Sequence, residues 1–382
     1  MNGDKNWIDH FLQRRISLSH LELIIVDVPQ IESFQSAIGT RHSRRALLLR
    51  WHDRDGNWGI GECSCRPDPY FSHEFLDGVA TVVGDFLFER LKPEQTYAEL
   101  LAELDRIRGW GVARAVVLEA VHDLWRRRGE GDPLDAWERE RLDKVPVGIS
   151  VGLYSTTEAL LARVGESVAA GYHRIKLKIR PGLPANYLTS VRTAFPELHL
   201  GGDANGSFDE DSMNELVAMQ DIGFAYLEQP FRPDRMDLCV ALKQKAPRHR
   251  ICLDEGVSEY GHLVTAIQLG AIDELNIKPG RVGGIPSSIR LAETCEAHGI
   301  SVWIGGMFET GIGRSANLRF AACFPKARAH DLSPSRRYFK EDIVQQPVSM
   351  DSRGYVARPE SPVNVDEAAV DRFLENRIIK RK

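Results

Sequence analysis

The second half of the chain repeats one short pattern, and this repeat restricts the possible folds more than any other feature. From residue 145 onwards, short apolar runs rich in Val, Ile and Leu alternate with longer amphipathic stretches. The runs are VPVGIS, RIKLKI, LHLGGDA, FAYLEQP, ICLDEG, ELNIKPG, VWIGGM and, more weakly, RAHDLS. Strands that alternate with helices over such a length predict parallel βαβ units. Seven or eight of these units in roughly 190 residues predict an α/β barrel of the (β/α)8 type.

Five charged residues end consecutive runs at a nearly constant spacing. Lys178, Asp203, Glu228, Asp254 and Lys278 follow one another at intervals of 25, 25, 26 and 24 residues. One strand, loop, helix and loop need about that many residues, and barrels of this kind hold their active sites at the carboxyl ends of their strands. A helix cap or a loop salt bridge would explain one such residue but not five in phase. The five side chains are therefore predicted to meet at the mouth of one barrel.

Three of these residues are carboxylates on neighbouring predicted strands. Close together without a cation, Asp203, Glu228 and Asp254 would repel one another, and one or more of them would take up a proton. A hard divalent cation removes that repulsion. Because no Cys or His belongs to the set, the oxygen ligands favour Mg²⁺ or Mn²⁺ over zinc. The sequence thus predicts a magnesium or manganese site with open positions for substrate oxygens.

Lysines flank this predicted metal site. Lys178 ends the run before it and Lys278 the run after it, so in a closed barrel the two amines approach a bound substrate from opposite sides. A free lysine, with a pKa of about 10.4, is a poor base at neutral pH. Lys176 lies two positions before Lys178 on the same strand face, and its charge disfavours protonation of Lys178. The set predicts removal of the proton α to a metal-bound carboxylate, unless these amines form an ordinary solvated strand face.

Composition argues against several other classes of protein. The chain has 382 residues, 43% of them hydrophobic, and a formal net charge of −5, which gives no reason to expect nucleic acid or an anionic membrane as a partner. No apolar run has membrane-spanning length, and the first residues lack the apolar centre of a signal peptide. The six cysteines offer no set of four zinc ligands. We therefore expect a cytoplasmic enzyme that acts on a small carboxylate.

Motifs at these positions resemble the enolase superfamily, in its muconate-lactonizing subgroup. They are KLK at 176–178, GGDANGSF at 201–208, LEQPF at 227–231, LDEG at 253–256 and NIKPGRVGG at 276–284. The resemblance runs from about residue 20 to residue 355. It implies a (β/α)7β barrel over residues 141–332, covered by an α+β capping domain that residues 1–140 form and residues 333–382 complete.

Within that subgroup, the chain resembles the family of o-succinylbenzoate synthases and N-succinylamino acid racemases. The matching stretches are PVGISVG at 146–152, KPGRVGG at 278–284, WIGGMFETGIGRSANLRFAA at 303–322 and HDLSPSRRYFKEDI at 330–343. The resemblance implies that Lys178 and Lys278 are the acid/base pair and that Asp203, Glu228 and Asp254 bind Mg²⁺. It also implies a homo-oligomer.

The resemblance extends to substrate contacts. The residues assigned to substrate are Ser150, Asn205, Arg281, Gly306 and Met307, with Ser150, Gly306 and Met307 around a succinyl end. Glu255 is predicted to hydrogen bond behind the metal ligands. GTRHSRRALLL at 39–49 resembles a mobile capping loop, in which Arg44 would meet the distal carboxylate of the substrate. GIGECSCRPDPYFSHEF at 59–75 resembles the second capping loop, and the residues after GEC depart from the family pattern.

Two reactions stay open at this point. In dehydration, Lys178 takes the α-proton and returns one to the departing hydroxyl, while Lys278 stays charged. In racemization, the two lysines protonate opposite faces. Other branches fit less well, because WIGGM supplies no histidine and Asp331-Leu332-Ser333 lacks the second acid of a dipeptide epimerase. A non-catalytic barrel protein would need neither lysine.

Overall fold

The computed structural model describes residues 7–36, 39–63, 65–359 and 362–382, with the side chains of 32–36, 39–41 and 185 outside the description. The amino-terminal part combines an antiparallel sheet with helices. Its elements are α1 (Asp9–Leu12), β1 (Arg15–Ser17), β2 (His20–Ser36), β3 (Gly39–His52), β4 (Trp58–Cys63), α2 (Leu76–Thr81), a π-helical segment (Val82–Leu87), α3 (Phe88–Arg90), β5 (Glu94–Thr96), α4 (Tyr97–Asp105), α5 (Gly111–Arg127) and α6 (Pro133–Ala136).

After the short strand β6, strands and helices alternate from β7 to α13. The elements are β6 (Lys144–Pro146), β7 (Gly148–Val151), α7 (Thr157–Ala169), β8 (Arg174–Lys178), α8 (Ala185–Ala194), β9 (Leu200–Asp203), α9 (Met213–Ala218) with a 3₁₀ turn (Met219–Ile222), β10 (Tyr226–Glu228), α10 (Met236–Lys245), β11 (Ile251–Leu253), α11 (Tyr260–Leu269), β12 (Glu274–Ile277), α12 (Ile285–Ala297), β13 (Ser301–Ile304) and α13 (Gly311–Ala321). Strands β7 to β13 form one seven-stranded parallel sheet in sequential order.

The sheet closes through a short segment after α13. Val147 forms a parallel bridge with His330, and Gly305 forms one with Asp331. The backbone nitrogen of Gly148 donates to the His330 carbonyl at 2.8 Å. His330 and Asp331 therefore fill the eighth strand position between β7 and β13, which confirms the (β/α)7β barrel and gives the weak RAHDLS run its place.

The alternating sequence of β8 follows from its place in this barrel. Ile175 and Leu177 belong to the main hydrophobic core, whereas Arg174 and Lys176 are 2% and 3% exposed. Parallel sheets covered by helices bury both faces of each strand. A half-exposed antiparallel strand would show the same alternation in sequence, but the burial of both faces excludes it here. The basic face of β8 is buried inside the barrel.

The end of the chain returns to the amino-terminal part. After a 3₁₀ turn (Ser335–Arg337) come β14 (Tyr355–Ala357), α14 (Glu367–Arg372) and β15 (Leu374–Arg381). β14 pairs with β6, and β15 joins a four-stranded sheet of order β15-β2-β3-β4. This sheet and the helices around it form the capping domain. The exact domain limits at residues 140 and 332 stay a prediction.

Glycines set the distance between β4 and α5 in the capping domain. A Cβ on Gly59 would lie 2.1 Å from the carbonyl oxygen of Ala120, and one on Gly61 would lie 2.3 Å from that of Val116. Because neither contact is sterically possible, the helix backbone can lie this close only to glycine. Among the described residues, no helix has the length and apolar character needed to cross a membrane.

Candidate active site

Strand register brings the first three predicted residues side by side. Lys178 is the register partner of Asp203 across β8 and β9, and Asp203 is that of Glu228 across β9 and β10. Asp254 follows directly on β11, and Lys278 directly on β12. Each strand thus carries its apolar residues through the core and ends on a polar group at the mouth, so that the repeat in the sequence becomes a ring of charges.

The buried carboxylates are each held by a basic side chain. Lys178 Nζ lies 2.7 Å from Asp203 Oδ2, and Lys278 Nζ lies 2.7 Å from Asp254 Oδ2. Lys176 Nζ lies 2.8 Å from Glu228 Oε2 and 3.1 Å from Asp203 Oδ2. The ammonium groups are therefore the counter-charges of the carboxylates in this arrangement.

These ammonium groups do not fully compensate the negative charge of the buried carboxylates. Burial, and then repulsion by Asp203, raise the pKa of Glu228 to about 8. The pKa of Asp254 stays well below its usual range because, although burial opposes its charge, Arg281 and Lys278 outweigh burial. Burial also disfavours the charge of Lys176, but the carboxylates of Asp331, Glu228 and Asp203 raise its pKa well above the usual value. The negative charge of Glu228 is thus not fully compensated, and all the donor atoms are oxygens. Both features fit a hard divalent cation.

The three carboxylates do not converge on one point in this arrangement. Within the described part of the chain, only His20, Glu22 and His52 bring three ligand atoms within 4.8 Å of one another. The Lys176 ammonium group lies between Asp203 and Glu228 instead, and the Lys278 ammonium group contacts Asp254. Asp203, Glu228 and Asp254 nevertheless have the chemistry to hold a divalent ion, provided that the ion replaces ammonium contacts.

A small cavity of about 70 Å³ marks the mouth of the barrel. Among its lining residues are Ser150, Lys176, Lys178, Asp203, Asn205, Asp254, Lys278 and Gly306. Asn205 accepts a hydrogen bond from Lys178 Nζ at 2.5 Å and donates one to Glu255 Oε1 at 2.9 Å. Burial, and then the charge of Asp254, raise the pKa of Glu255 to about 7. Glu255 thus lies behind the cavity wall and is connected to the cavity through the side chain of Asn205.

Arg281 and Met307 lie beside this cavity, where they line a separate recess with Arg66 and Glu74. Arg281 Nη1 lies 2.5 Å from Asp254 Oδ1. Met307 donates its backbone N–H to Glu309 Oε1 at 2.7 Å. The structure therefore connects Arg281 to a candidate metal ligand, whereas its role as a substrate contact stays a prediction.

Arg44 requires a correction. It belongs to β3 and not to a loop, and it is 2% exposed. Its guanidinium donates to the carbonyl oxygens of Cys65 and Cys63 at 2.9 and 3.1 Å. Arg44 therefore supports the segment after β4 from inside the capping domain and does not line the cavity. The side chains of 39–41, in the predicted capping loop, and Ser64, the first residue after GEC, lie outside the described residues.

Two further residues of the site escaped the sequence argument. Asp331 Oδ2 lies 2.9 Å from Lys176 Nζ and accepts a hydrogen bond from Ser150 Oγ at 3.0 Å. Asn276 donates to Glu228 Oε1 at 3.0 Å. Asp331 ends the eighth run as Lys178 ends the second, and Asn276 precedes Lys278 by two positions, as Lys176 precedes Lys178. Two sequence signals would have identified these residues: the position of Asp331 in the repeat, and the two-residue spacing between Asn276 and Lys278.

Known proteins share this architecture. A family model described as enolase C-terminal domain-like matches residues 159–367. An N-succinylamino acid racemase of Amycolatopsis sp. is 35% identical, over 91% of this chain and 94% of that protein. An o-succinylbenzoate synthase of Geobacillus kaustophilus is 32% identical, over 93% and 96%. The crystal structure of an enolase superfamily member from Listeria innocua has a TM-score of 0.88 at 27% identity, over 96% and 99%.

Fold, site and relatives together define the class of this protein: it is a barrel enzyme that carries three carboxylates and two lysines at the carboxyl ends of neighbouring strands. More narrowly, the chain belongs to the enolase superfamily, in the family of o-succinylbenzoate synthases and N-succinylamino acid racemases.

Proposed function

We propose that this enzyme is a lyase that removes the proton α to a carboxylate and dehydrates 2-succinyl-6-hydroxy-2,4-cyclohexadiene-1-carboxylate to o-succinylbenzoate, a step of menaquinone biosynthesis. One observation carries the proposal. Asp203, Glu228 and Asp254 lie at the ends of β9, β10 and β11, which stand between β8 and β12. Lys178 on β8 contacts Asp203, and Lys278 after β12 contacts Asp254. The o-succinylbenzoate synthases of Geobacillus, Enterococcus and Bacillus, 31–32% identical, support the choice of reaction.

The metal is proposed to be Mg²⁺, which Mn²⁺ can replace. Asp203, Glu228 and Asp254 would hold it, since hard oxygen ligands select such ions. When bound, it supplies a positive charge that stabilises the enediolate form of the substrate carboxylate. Lys178 and Lys278 would then exchange their carboxylate contacts for contacts with the substrate.

Within the chain, each lysine has its own task. Lys178 accepts the α-proton of the substrate. The hydroxyl group leaves as water when the C–O bond breaks, and it receives a proton from the same Lys178 ammonium. Lys278 stays protonated and faces the developing negative charge. Lys176, buried among Glu228, Asp203 and Asp331, stays charged and places a fixed positive charge beside the reacting groups.

The substrate contacts are proposed from the same geometry. Ser150 and Gly306 line the cavity, and Met307 lines the adjoining recess, so these residues would surround the succinyl end. Asn205, which contacts Lys178, would orient a substrate oxygen.

We further propose that the enzyme acts in the cytoplasm as a homo-oligomer. A monomer mass in light scattering at micromolar concentration would contradict the homo-oligomer.

Racemization of N-succinylamino acids is the second candidate. It is favoured by two relatives named N-succinylamino acid racemase, from Amycolatopsis sp. and Thermus thermophilus, which are both 35% identical to this chain. The same enediolate serves both reactions. The difference is whether Lys278 delivers a proton to the opposite face.

Substrate assays with lysine variants separate the two reactions. Lys178→Ala should abolish dehydration, because it removes general base and general acid together, and each such role is worth roughly 10²- to 10⁴-fold. Lys278→Arg keeps the positive charge and should retain part of the dehydration rate. In racemization, Lys278→Arg should instead block exchange of the α-proton with deuterium for one enantiomer only. If the cyclohexadiene substrate is inert with Mg²⁺ bound while N-succinylamino acids turn over, racemization replaces dehydration as the function.

A further inference from the structure

A second cavity, of about 490 Å³, opens at the opposite end of the barrel. Its lining includes Arg174, Glu274 and Ser301, which begin β8, β12 and β13, so it lies at the amino ends of the strands. The volume falls within the range of about 300–1,000 Å³ that is common for small-molecule sites. The proposed catalytic chemistry makes no use of this space.

An arginine with unsatisfied donors forms part of its wall. Arg174 is 2% exposed, and its Nε and Nη2 have no hydrogen-bond partner among the described residues. Its guanidinium stacks 4.0 Å above the ring of Trp303, and the nearest carboxylate oxygen, Asp331 Oδ1, lies 3.8 Å from Nη2. Buried polar groups in proteins are nearly always hydrogen-bonded. A buried cation with two donor nitrogens that lack a partner therefore calls for an acceptor.

Two neighbours of Arg174 also have buried polar groups that lack hydrogen-bond acceptors. The hydroxyl of Tyr226 and the indole Nε1 of Trp303 are buried and find no hydrogen-bond partner in the part of the chain that the structure describes, and both residues line the same cavity. The barrel also leaves room for Arg174, since a Cβ on Gly148 would lie 3.1 Å from its Nε. Three side chains thus present unused donors at one buried place.

The charges around the cavity are predominantly positive. Lys326 and Arg328 lie at its exposed rim, with no carboxylate within 4.0 Å in the described part of the chain. The two wall carboxylates are already paired, Glu274 with Arg250 and Glu296 with Arg139. Burial, and then the charges of Arg174 and Arg328, lower the pKa of His199 in the wall to about 4. At neutral pH the cavity therefore attracts anions.

We propose that this cavity binds a small organic carboxylate. Its charged end accepts hydrogen bonds from Arg174, Tyr226 and Trp303, because a carboxylate oxygen can satisfy several donors and charge-assisted bonds of this kind are strong. Its apolar part lies against the Ile300 and Phe324 side of the wall. The inference is independent of the reaction proposed for the mouth of the barrel.

Such a ligand would be connected to the catalytic end through two contacts. Arg174 forms an ion pair with Asp331 Oδ1, and Asp331 Oδ2 holds Lys176 Nζ at 2.9 Å. A carboxylate bound to Arg174 competes with Asp331 for that guanidinium, which leaves Asp331 more strongly engaged with Lys176. Binding should therefore change kcat without competing with substrate.

Titration of the Mg²⁺-loaded full-length protein with 4-fluorobenzoate, followed by ¹⁹F NMR, tests this site. We expect a dissociation constant on the order of 1 mM, as the size of the probe allows. Arg174→Met should weaken binding by at least about tenfold, because it removes the charged donor. Arg328→Glu at the exposed rim should weaken it about threefold or more through charge repulsion. Arg381→Glu, the same charge change on exposed β15, is the matched control and should leave binding unchanged.

Two results would overturn the proposal. The first is binding that Lys178→Ala abolishes and Arg174→Met leaves intact, since the probe would then lie at the catalytic mouth. The second is absence of binding by the unaltered protein at about 10 mM probe, tenfold above the expected constant. If Arg174→Met does not fold, Arg328→Glu and the cavity-filling Ala327→Trp decide the question, and unchanged affinity in both refutes the site. None of these measurements depends on turnover.

Discussion

At the scale of single residues, the two lysines of β8 differ in their surroundings. Lys176 is 3% exposed and faces Glu228, Asp203 and Asp331, so its charge is fixed by three carboxylates. Lys178 lies closer to the mouth, and within the described part of the chain its Nζ contacts only Asp203 and the amide oxygen of Asn205. A permanently charged amine next to one with fewer anions suits a division into an electrostatic residue and a proton-transfer residue.

Asp331 is expected to hold Lys176 in place during the reaction. In the proposed metal-bound enzyme Asp203 and Glu228 would contact the ion, and Asp331 would be the remaining carboxylate within 3 Å of Lys176 Nζ. Asp331→Asn should lower kcat by roughly 10- to 100-fold, the range typical for supporting partners of a site. Steady-state kinetics with Mg²⁺ saturated will measure this. Asp331→Glu should recover part of kcat, Asp351→Asn in the surface pair with Lys144 is the control, and an unchanged kcat contradicts the assignment.

Removal of the metal is expected to abolish turnover while leaving the fold intact, because the ammonium contacts still compensate part of the charge. Activity after chelation, and after Mg²⁺ is added back, measures this. Asp203→Asn should weaken metal binding by more than the roughly 10- to 100-fold that the loss of a supporting residue costs, as titration calorimetry can show. Full activity of metal-free enzyme would contradict the metal site.

At the scale of elements, a buried carboxylate joins the segment before α2 to the start of α5. Glu74 is 4% exposed, and its Oε2 accepts a hydrogen bond from the backbone N–H of Val112 at 2.8 Å. Burial nevertheless raises the pKa of Glu74 from 4.5 to about 7. The connection therefore depends on pH.

The sign of this dependence follows from linkage. Between pH 4.5 and 7 the folded state binds more protons at Glu74 than the unfolded state, so its contribution to stability is full below pH 4.5 and is lost as the pH rises towards 7. The loss is at most on the order of 3 kcal/mol, at 1.36 kcal/mol per pKa unit. Glu74→Gln should thus gain Tm relative to the unaltered protein from pH 5 to pH 8. Glu210→Gln, at an exposed position, is the control, and a constant difference between the two pH values contradicts the prediction.

At the scale of the whole molecule, the last strand completes a sheet that begins near the first residues. β15 pairs with β2 from Leu374 to Arg381, and its side chains are almost all exposed. It therefore buries little apolar surface, and its main contribution is the set of backbone hydrogen bonds that it forms with the edge of β2. Uncovered edges of this kind pair with other chains.

Deletion of residues 374–382 should therefore cause self-association. We expect a mass above that of the full-length protein in light scattering, together with a lower Tm, because β2 becomes an open edge. Deletion of Lys382 alone, outside the strand, is the matched control. If the truncated chain keeps the mass and Tm of the full-length protein, β15 is dispensable.

The sequence by itself determined the barrel and the identity of its five principal charged residues. The reason is that both are local and periodic: each βα unit repeats after about 25 residues, and each strand end falls at the same phase of that repeat. Lys178, Asp203, Glu228, Asp254 and Lys278 could therefore be placed at one mouth without coordinates. The roles assigned to them stay predictions until measured.

Tertiary structure decided what no local pattern contains. Arg44 looked like a loop residue, but strand pairing buries it beneath the carbonyl groups of Cys63 and Cys65. The repeat places Asp331 at a strand end, but only barrel closure shows that it meets Lys176, across 155 positions of sequence. The cavity around Arg174 exists only because strands far apart in the chain meet there. Contacts between distant segments depend on how the chain closes on itself, and a pattern read along the chain does not encode that geometry.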